Sequence, residues 1–316
     1  MQLRSTLPWC TLSLALALAA CGGGGDAGPT ATSATATTQP VATADPTAPA
    51  LTGDTATDAL NRFNWRRQQA GLLPVTASAS INHAAQAHSN YQGLNNTITH
   101  VEDGSKPGFT GATAFERLQA AGYSFSVTSG YVYGEVIASQ TSTQGTQAAD
   151  DLIAAIYHRF IVLEPMFKEG GAGASAGTSG LTYVTIDFAA NGFDRTLPRG
   201  TVVVYPFAGQ SGVPTGFNSD QETPDPVPNQ NLVGYPVSVH AALTSKLTVQ
   251  DFTITPRGGS ALATRLLSSA TDSDTPASAA AAIPLSALKA GTTYDVQFIG
   301  TVDGVAVTRN WSFSTQ

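Results

Sequence analysis

Cysteine is nearly absent from this sequence. The 316 residues include two cysteines, Cys10 and Cys21. Because no cysteine follows residue 21, the rest of the chain cannot form an internal disulfide bond. Its stability therefore has to come from buried apolar cores, and its length suits two domains.

Charge is also scarce, above all positive charge. Charged residues make up 12% of the chain, about half the usual share. Fifteen Lys and Arg stand against 22 Asp and Glu, which gives a net charge of −7. No basic cluster with interleaved aromatic residues occurs, so nucleic acid is excluded as an expected partner.

The first 21 residues have the features of a lipoprotein signal peptide. Arg4 supplies the positive start, and the apolar run 12–18 is shorter than the ~20 residues that cross a bilayer as a helix. Leu18-Ala19-Ala20-Cys21 resembles the lipobox of bacterial lipoproteins, which implies lipidation of Cys21. An ordinary secretory signal is the alternative.

Residues 22–56 contain no aromatic residue and are rich in Thr, Ala, Pro and Gly. This composition predicts a disordered tether, with a glycosylated stalk as the alternative. Gly22, directly after the cysteine, implies by the same resemblance the outer membrane rather than the inner one. We therefore expect a secreted, lipid-anchored protein of the cell envelope, at the outer membrane or cell surface.

Residues 57–205 alternate helix and strand patterns, which predicts an α+β layered domain. Helix patterns occupy 58–71, 78–93, 113–122 and 148–160, and strand patterns occupy 130–139, 181–190 and 200–207. Prolines and turn formers then predict a linker over 206–230.

Short strand patterns fill residues 231–316, and Asp303-Gly304 predicts a tight hairpin between the last two. This part is expected to form a small all-β sandwich of the immunoglobulin or fibronectin type. We interpret His240, on one of its strands, as structural. A spacer or binding role is expected for this domain.

Residues 57–190 resemble the CAP superfamily (cysteine-rich secretory, antigen 5 and pathogenesis-related-1 proteins; SCP-like) in its bacterial branch. The resemblance lies in the order of short motifs along the chain: Asn64-x-x-Arg67-x-x-x-Gly71, Ala84-Ala85-x-Ala87-His88-Ser89, His100, Glu116-Arg117, Gly134-Glu135, His158-Arg159 and Asp187-Phe188. It implies an α-β-α sandwich with a central cleft lined by two histidines and two glutamates.

His100, Glu135 and His158 stand at three of those four cleft positions. In longer members the fourth acid lies three residues before the last histidine, where this chain has Ala155. With this incomplete acidic set and no nucleophile, we expect a cleft that binds an envelope ligand (lipid, glycan or protein). No residue is assigned as catalytic, and a purely structural role in the envelope is a further alternative.

The main alternative to ligand binding is a catalytic role. Two imidazoles and a carboxylate suit a divalent metal such as zinc, with a fourth position open for water. His100, His158 and Glu135 would then be the metal ligands of a peptidase-like hydrolase. Because the spacing of the three residues is no metal signature, the metal assignment depends on the resemblance alone.

Three further features receive structural interpretations. Gly173-Ala174-Ser175-Ala176-Gly177 fits the G-x-S-x-G nucleophile elbow, but the strand–helix order around it is reversed, so we predict a small-residue strand beneath a helix. His88, on an apolar helix face, is expected to be a hydrogen-bonded core residue. Arg159 is expected to contact backbone carbonyls or an acid such as Glu116.

Overall fold

The computed structural model describes residues 48–194 and 197–316. The predicted signal segment, Cys21 and all of the tether before residue 48 lie outside the described residues. Within the described part, no helix combines the length and apolarity that a membrane crossing requires.

The described residues form α-helices at α1 Thr55–Gln69, α2 Ala79–Asn95, α3 Ala114–Ala120, α4 Gly145–Ala154 and α5 Ile156–Val162. The strands of the first half are β1 Thr76–Ala77, β2 Tyr131–Gln140, β3 Glu169–Ala176 and β4 Thr182–Asn191. The later strands are β5 Val203–Tyr205, β6 Gly216–Asn218, β7 Leu232–Gly234, β8 Val237–His240, β9 Leu247–Pro256, β10 Thr264–Ser268, β11 Ala279–Pro284, β12 Thr293–Val302 and β13 Val305–Ser314.

The first half is an α-β-α sandwich. Its central sheet has the order β1-β3-β4-β2, with α1, α4 and α5 on one face and α2 and α3 on the other. Successive strand residues point to opposite faces. Gly170 accordingly faces Leu60 of α1, whereas Gly171 faces Asn82 of α2. The expected α+β class and the α-β-α layers are confirmed.

The G-x-S-x-G segment lies in β3, directly beneath α2, as expected. A Cβ atom at Gly171 or Gly173 would collide with the α2 backbone at Asn82 or Gln86. The side chain of Asn82 then completes the contact by accepting a hydrogen bond from Ala172 N at 2.9 Å. Glycine is required here so that helix and sheet can approach closely.

The single helix predicted over 148–160 is wrong in one respect, since the structure has two helices separated at Ala155. This residue is extended (ψ 121°), so α4 ends at Ala154 and a new helix begins at Ile156. The first N–H groups of α5 are thereby free of intrahelical partners, and a side chain from far along the chain binds them.

The predicted boundary near residue 205 needs correction. β5, expected as part of the first domain, instead pairs with β8 in the order β10-β11-β8-β5. The segment 206–230, expected as a linker, contains β6, which pairs with β7, and a short 3₁₀ turn at Ser219–Gln221. It is therefore an ordered part of the C-terminal region.

The C-terminal region is all β. A second sheet has the order β13-β12-β9, and the inner faces of the two sheets share a core that includes Ile254, Ala282 and Phe298. The hairpin predicted at Asp303-Gly304 joins β12 to β13, with positive φ at both residues (52° and 76°). An immunoglobulin or fibronectin type of connectivity stays a prediction.

The two halves are packed into each other. Phe63 and Phe188 of the first half belong to the same buried cluster as Phe298 of the second. A second cluster joins Ile156, Tyr157 and Phe160 of α5 to residues of the C-terminal sheets, namely Leu267, Ala279, Ala281 and Ile283. The helix that carries His158 is thus covered by the C-terminal region.

Candidate functional site

His100 and Glu135 meet on the α2–α3 face of the central sheet. His100 lies in the loop between α2 and α3, and its Nδ1 is 2.8 Å from Glu135 Oε1. The other Glu135 oxygen, Oε2, accepts a hydrogen bond from Arg117 Nη2 of α3 at 2.6 Å. The Glu135 side chain is 4% exposed and that of His100 is 27% exposed, so the histidine is the part of this group that reaches solvent.

Arg117 is the positive centre of this group. Its side chain is fully buried, and its Nη1 also donates to His100 O at 3.2 Å. Burial would raise the pKa of the Glu135 carboxyl. The Arg117 charge, together with the nearby imidazoles and the hydrogen bond from His100, outweighs burial, so this pKa lies well below its usual range. Glu135 is therefore an anion at physiological pH.

Asp187 stands directly opposite Glu135 in the β2–β4 pairing. Both of its carboxyl oxygens are buried, and neither accepts a hydrogen bond. Burial and the negative charge of Glu135 raise its pKa well above the usual range, against the opposing effect of Arg117. The buried position beside an anion therefore favours the protonated form of Asp187 relative to an ordinary aspartate.

His88 is a buried structural histidine, as expected. Its Nδ1 lies 2.8 Å from Glu102 Oε1 and its Nε2 lies 2.7 Å from Thr99 O. Glu102 also accepts from Thr110 N at 2.6 Å. These bonds anchor to α2 the loop that carries His100.

His158 binds a different carboxylate. Its Nδ1 lies 3.0 Å from Glu222 Oε1, and Glu222 is buried. The same carboxylate accepts hydrogen bonds from the backbone N–H groups of Ile156, Tyr157 and His158 at 2.8, 2.7 and 3.2 Å. A single carboxylate, that of Glu222, therefore accepts the free N–H groups at the start of α5 and also orients the His158 ring.

Arg159 is directed into the C-terminal region. It donates to Ile153 O at 2.5 Å and to Pro236 O at 2.6 Å, and its guanidinium lies over the rings of Tyr205 and Tyr235, 4.9 and 4.8 Å from their centroids. The expected contacts with backbone carbonyls are confirmed.

The expected contact of Arg159 with an acid such as Glu116 is not among its hydrogen bonds to the described residues, which go to backbone carbonyls and to Ser238. Glu116 instead forms a capping box with Thr113 at the start of α3.

The predicted three-residue site is not formed as a metal centre. The structure pairs His100 with Glu135 and pairs His158 with Glu222. Among the residues of 48–194 and 197–316, no group of three or more His, Cys, Asp or Glu side chains is placed to hold a metal ion. The tentative metal set His100, His158 and Glu135 is therefore corrected: among the described residues these three side chains do not form one group.

An aromatic cluster shares the sheet face of Glu135. Tyr131, Tyr133 and Glu135 lie at alternate positions of β2 and so share one face of the sheet. Both tyrosine rings pack on Phe125, with centroid distances of 4.8 and 5.8 Å, and Phe125 stacks on Phe115 at 4.7 Å. These rings form a half-buried aromatic cluster on the sheet face that carries Glu135, the partner of His100.

Sequence reasoning missed Glu222 and gave no role to Arg117 or Asp187. Glu116-Arg117 and Asp187-Phe188 were part of the resemblance, and the period-two alternation of β2 and β4 places Glu135 and Asp187 on a common face. Glu222 lies 64 residues from His158, in a segment interpreted as linker, and no local pattern connects the two.

The sandwich and the buried His–Glu–Arg group together define a domain of the CAP type. Residues 60–188 match the family model described as "CAP: Cysteine-rich secretory protein family", so this region of the chain is a CAP domain. No curated protein matches the chain.

Two solved structures are similar to parts of this chain. One is an extracellular protein containing an SCP domain from Bacillus anthracis str. Ames, with 23% identity and a TM-score of 0.34 over 42% of this chain and 39% of that chain. The other is an outer surface protein from Borrelia burgdorferi, with 16% identity and a TM-score of 0.35 over 42% of this chain and 89% of its own.

Proposed function

We propose that this protein is a lipid-anchored component of the cell envelope whose CAP domain binds a ligand at the His100 surface without catalysing a reaction. Its expected ligand is an envelope lipid, glycan or protein. The C-terminal region takes part by completing the other histidine position of the domain.

One observation supports this proposal most strongly. Nδ1 of each histidine is bound to its own buried carboxylate, Glu135 for His100 and Glu222 for His158. Fixed rings of this kind are suited to presenting a polar edge to a ligand. A three-ligand metal centre would require the rings to converge, and the described residues contain no such group.

The half-exposed His100 edge is the expected contact point. The aromatic cluster of Tyr131, Tyr133, Phe115 and Phe125 lies on the same sheet face as its partner Glu135, and an apolar surface with a few fixed polar groups is the usual composition of a ligand site. The buried Arg117–Glu135 pair is too enclosed to touch a ligand and serves to hold the histidine ring.

A ligand titration followed by NMR tests the proposal. Phospholipid micelles, peptidoglycan fragments and soluble oligosaccharides are titrated into the protein, and the His100 ring signals are followed. We expect one class to shift those signals, with binding weakened at least tenfold in His100→Ala. His83→Ala, on the exposed face of α2, is the matched control and should bind as wild type. Unchanged His100 signals with every class would contradict the proposal.

The anchor is proposed from the sequence alone, because Cys21 lies outside the described residues. Metabolic labelling with a fatty-acid analogue tests it. The wild-type chain and Cys10→Ser should incorporate label and sediment with membranes, whereas Cys21→Ser should do neither. Equal labelling of all three would contradict lipidation at Cys21.

A further inference from the structure

The outer face of the β13-β12-β9 sheet carries a shallow, open trough of about 550 Å³. Its floor is the backbone around Val296 and Trp311, whose side chains are buried on the inner face. The trough is separate from the CAP domain and from both of its histidines.

Six polar side chains line the trough in two rows across three strands. Gln297 of β12 lies opposite Asn310 on one side and Thr253 on the other. Two residues along, Asp295 lies opposite Ser312 and Thr255. Because neighbouring strands are about 5 Å apart and alternate residues about 7 Å apart, the rows form a regular grid of hydrogen-bonding groups.

The trough has no excess of positive charge, since no lining side chain is cationic and Asp251, beside it on β9, accepts a hydrogen bond from Thr253 Oγ1 at 3.5 Å. Its one acidic group, Asp295, is paired with Arg257, with Arg257 Nη2 2.6 Å from Asp295 Oδ1 and Arg257 Nε 3.2 Å from Oδ2. The other five lining side chains are hydroxyls and amides. Such a surface gives no electrostatic attraction to phosphates or polyanions, and six of the eight residues that line it are polar.

The amide pair at the centre of the grid is already ordered. Gln297 Nε2 donates to Asn310 Oδ1 at 3.1 Å, a bond that uses one amide hydrogen. The pair therefore keeps Gln297 Oε1 as an acceptor and Asn310 Nδ2 as a donor. The threonines are β-branched and have restricted χ1 angles, so ordering them on binding costs little entropy.

We propose that this trough is a second ligand site, for a neutral, hydroxyl-rich glycan. Each sugar hydroxyl both donates and accepts a hydrogen bond, which matches a surface that alternates hydroxyl and amide groups. A flat sheet face can contact several sugar units in succession, so a polysaccharide chain fits it better than a single small molecule does. The C-terminal region then acts as a glycan-binding module beside the CAP domain.

Co-sedimentation of the full chain in detergent with insoluble cellulose, chitin and peptidoglycan tests this site. We expect wild type to sediment with at least one of them, and Gln297→Ala/Asn310→Ala to bind at least tenfold more weakly. The matched control is Thr248→Ala/Thr301→Ala, which removes another hydrogen-bonded pair from the same sheet (Oγ1–Oγ1 2.7 Å) outside the trough and should bind as wild type.

Two outcomes would overturn the proposal. One is the absence of wild-type sedimentation with all three polysaccharides. The other is binding that survives Gln297→Ala/Asn310→Ala, and a parallel loss in His100→Ala would then assign the glycan to the CAP domain. Far-ultraviolet circular dichroism of each variant establishes that the sheet is intact. Because His100→Ala and the trough variants are measured together, this site and the proposed CAP cleft succeed or fail separately.

Discussion

Glu222 binds His158 across 64 residues of sequence, with Oε1 3.0 Å from the histidine Nδ1. The carboxylate belongs to a segment outside the CAP domain match, yet it completes the first turn of the helix that carries a motif histidine. The CAP domain of this chain therefore depends on its C-terminal region for one of its two histidine positions.

Removal of the Glu222 carboxylate should destabilise the fold. Glu222→Ala leaves three backbone N–H groups and His158 without their buried acceptor, which should lower the free energy of unfolding by about 3 kcal/mol. Glu222→Gln keeps one acceptor oxygen and should cost less. Urea unfolding measures both. Asp220→Ala, exposed two residues earlier, is the control and should stay within about 0.5 kcal/mol of wild type; an equally small effect at Glu222 would refute the assignment.

Arg159 should be the strongest link between the two halves. Arg159→Ala removes buried hydrogen bonds to Ile153 O and Pro236 O together with the contacts on two tyrosine rings. Because breaking a buried charged network is strongly destabilising, the free energy of unfolding should fall by about 3 kcal/mol or more. Arg159→Lys cannot reproduce the planar fork and should be intermediate.

Thermal unfolding followed by circular dichroism provides the measurement for Arg159. The exposed Arg199, which donates to Asp303 O at 3.4 Å, is the control, and Arg199→Ala should leave the midpoint almost unchanged. Equal midpoints for the two alanine variants would show that Arg159 is not a structural link.

Replacement by an amide should cost far less stability at Asp187 than at Glu135. The raised pKa of Asp187 favours its protonated form, and Asp187→Asn replaces that form with a neutral donor of similar shape, so the free energy of unfolding at pH 7 should change by less than about 1 kcal/mol. Glu135→Gln removes the anion paired with Arg117 and should cost about 3 kcal/mol. Chemical denaturation of both variants compares them. A larger loss for Asp187→Asn would mean that Asp187 is ionised in the fold.

Stability should fall as the pH rises from about 4.5 to about 7 because of Glu164. Burial raises the pKa of this carboxyl from 4.5 to about 7, although Met166 N and Leu243 N donate to it at 3.0 and 3.1 Å. A raised folded-state pKa means that the stabilising contribution is complete below pH 4.5 and is lost as the pH rises to about 7. The loss should reach roughly 3 kcal/mol.

Glu164→Gln isolates this effect. The amide keeps an acceptor for both N–H groups but does not titrate, so wild type should lose roughly 3 kcal/mol relative to the variant between acid and mildly alkaline pH. Other titrating groups are common to both proteins and cancel in the difference. A difference that is independent of pH would rule out the raised pKa.

The helices and the small-residue strand were predictable from sequence because their signals are local. Glycine at positions 171 and 173 fits only a strand lying close to a helix, and His88 lies at helical spacing from apolar neighbours. The break at Ala155 was not predictable, since alanine favours helix and the break depends on a carboxylate that arrives from elsewhere. The sheet membership of β5 was missed for a similar reason, since a short apolar strand gives no indication of which sheet it joins.

The candidate site was half predictable. Motif order identified His100, Glu135 and His158, and the first two do meet. His158 does not join His100 and Glu135, because its ring is bound by the Glu222 carboxylate instead. No spacing rule contains that information.

Zinc titration of protein purified without chelators tests whether the two histidines are held by separate carboxylates and do not share a metal ion. Ring signals of His100 and His158, assigned with the two alanine variants, are followed by NMR. Because each ring is bound to its own carboxylate, we expect no stoichiometric zinc and no joint shift of both rings. One equivalent of bound zinc, lost in His100→Ala and in His158→Ala alike, would contradict it.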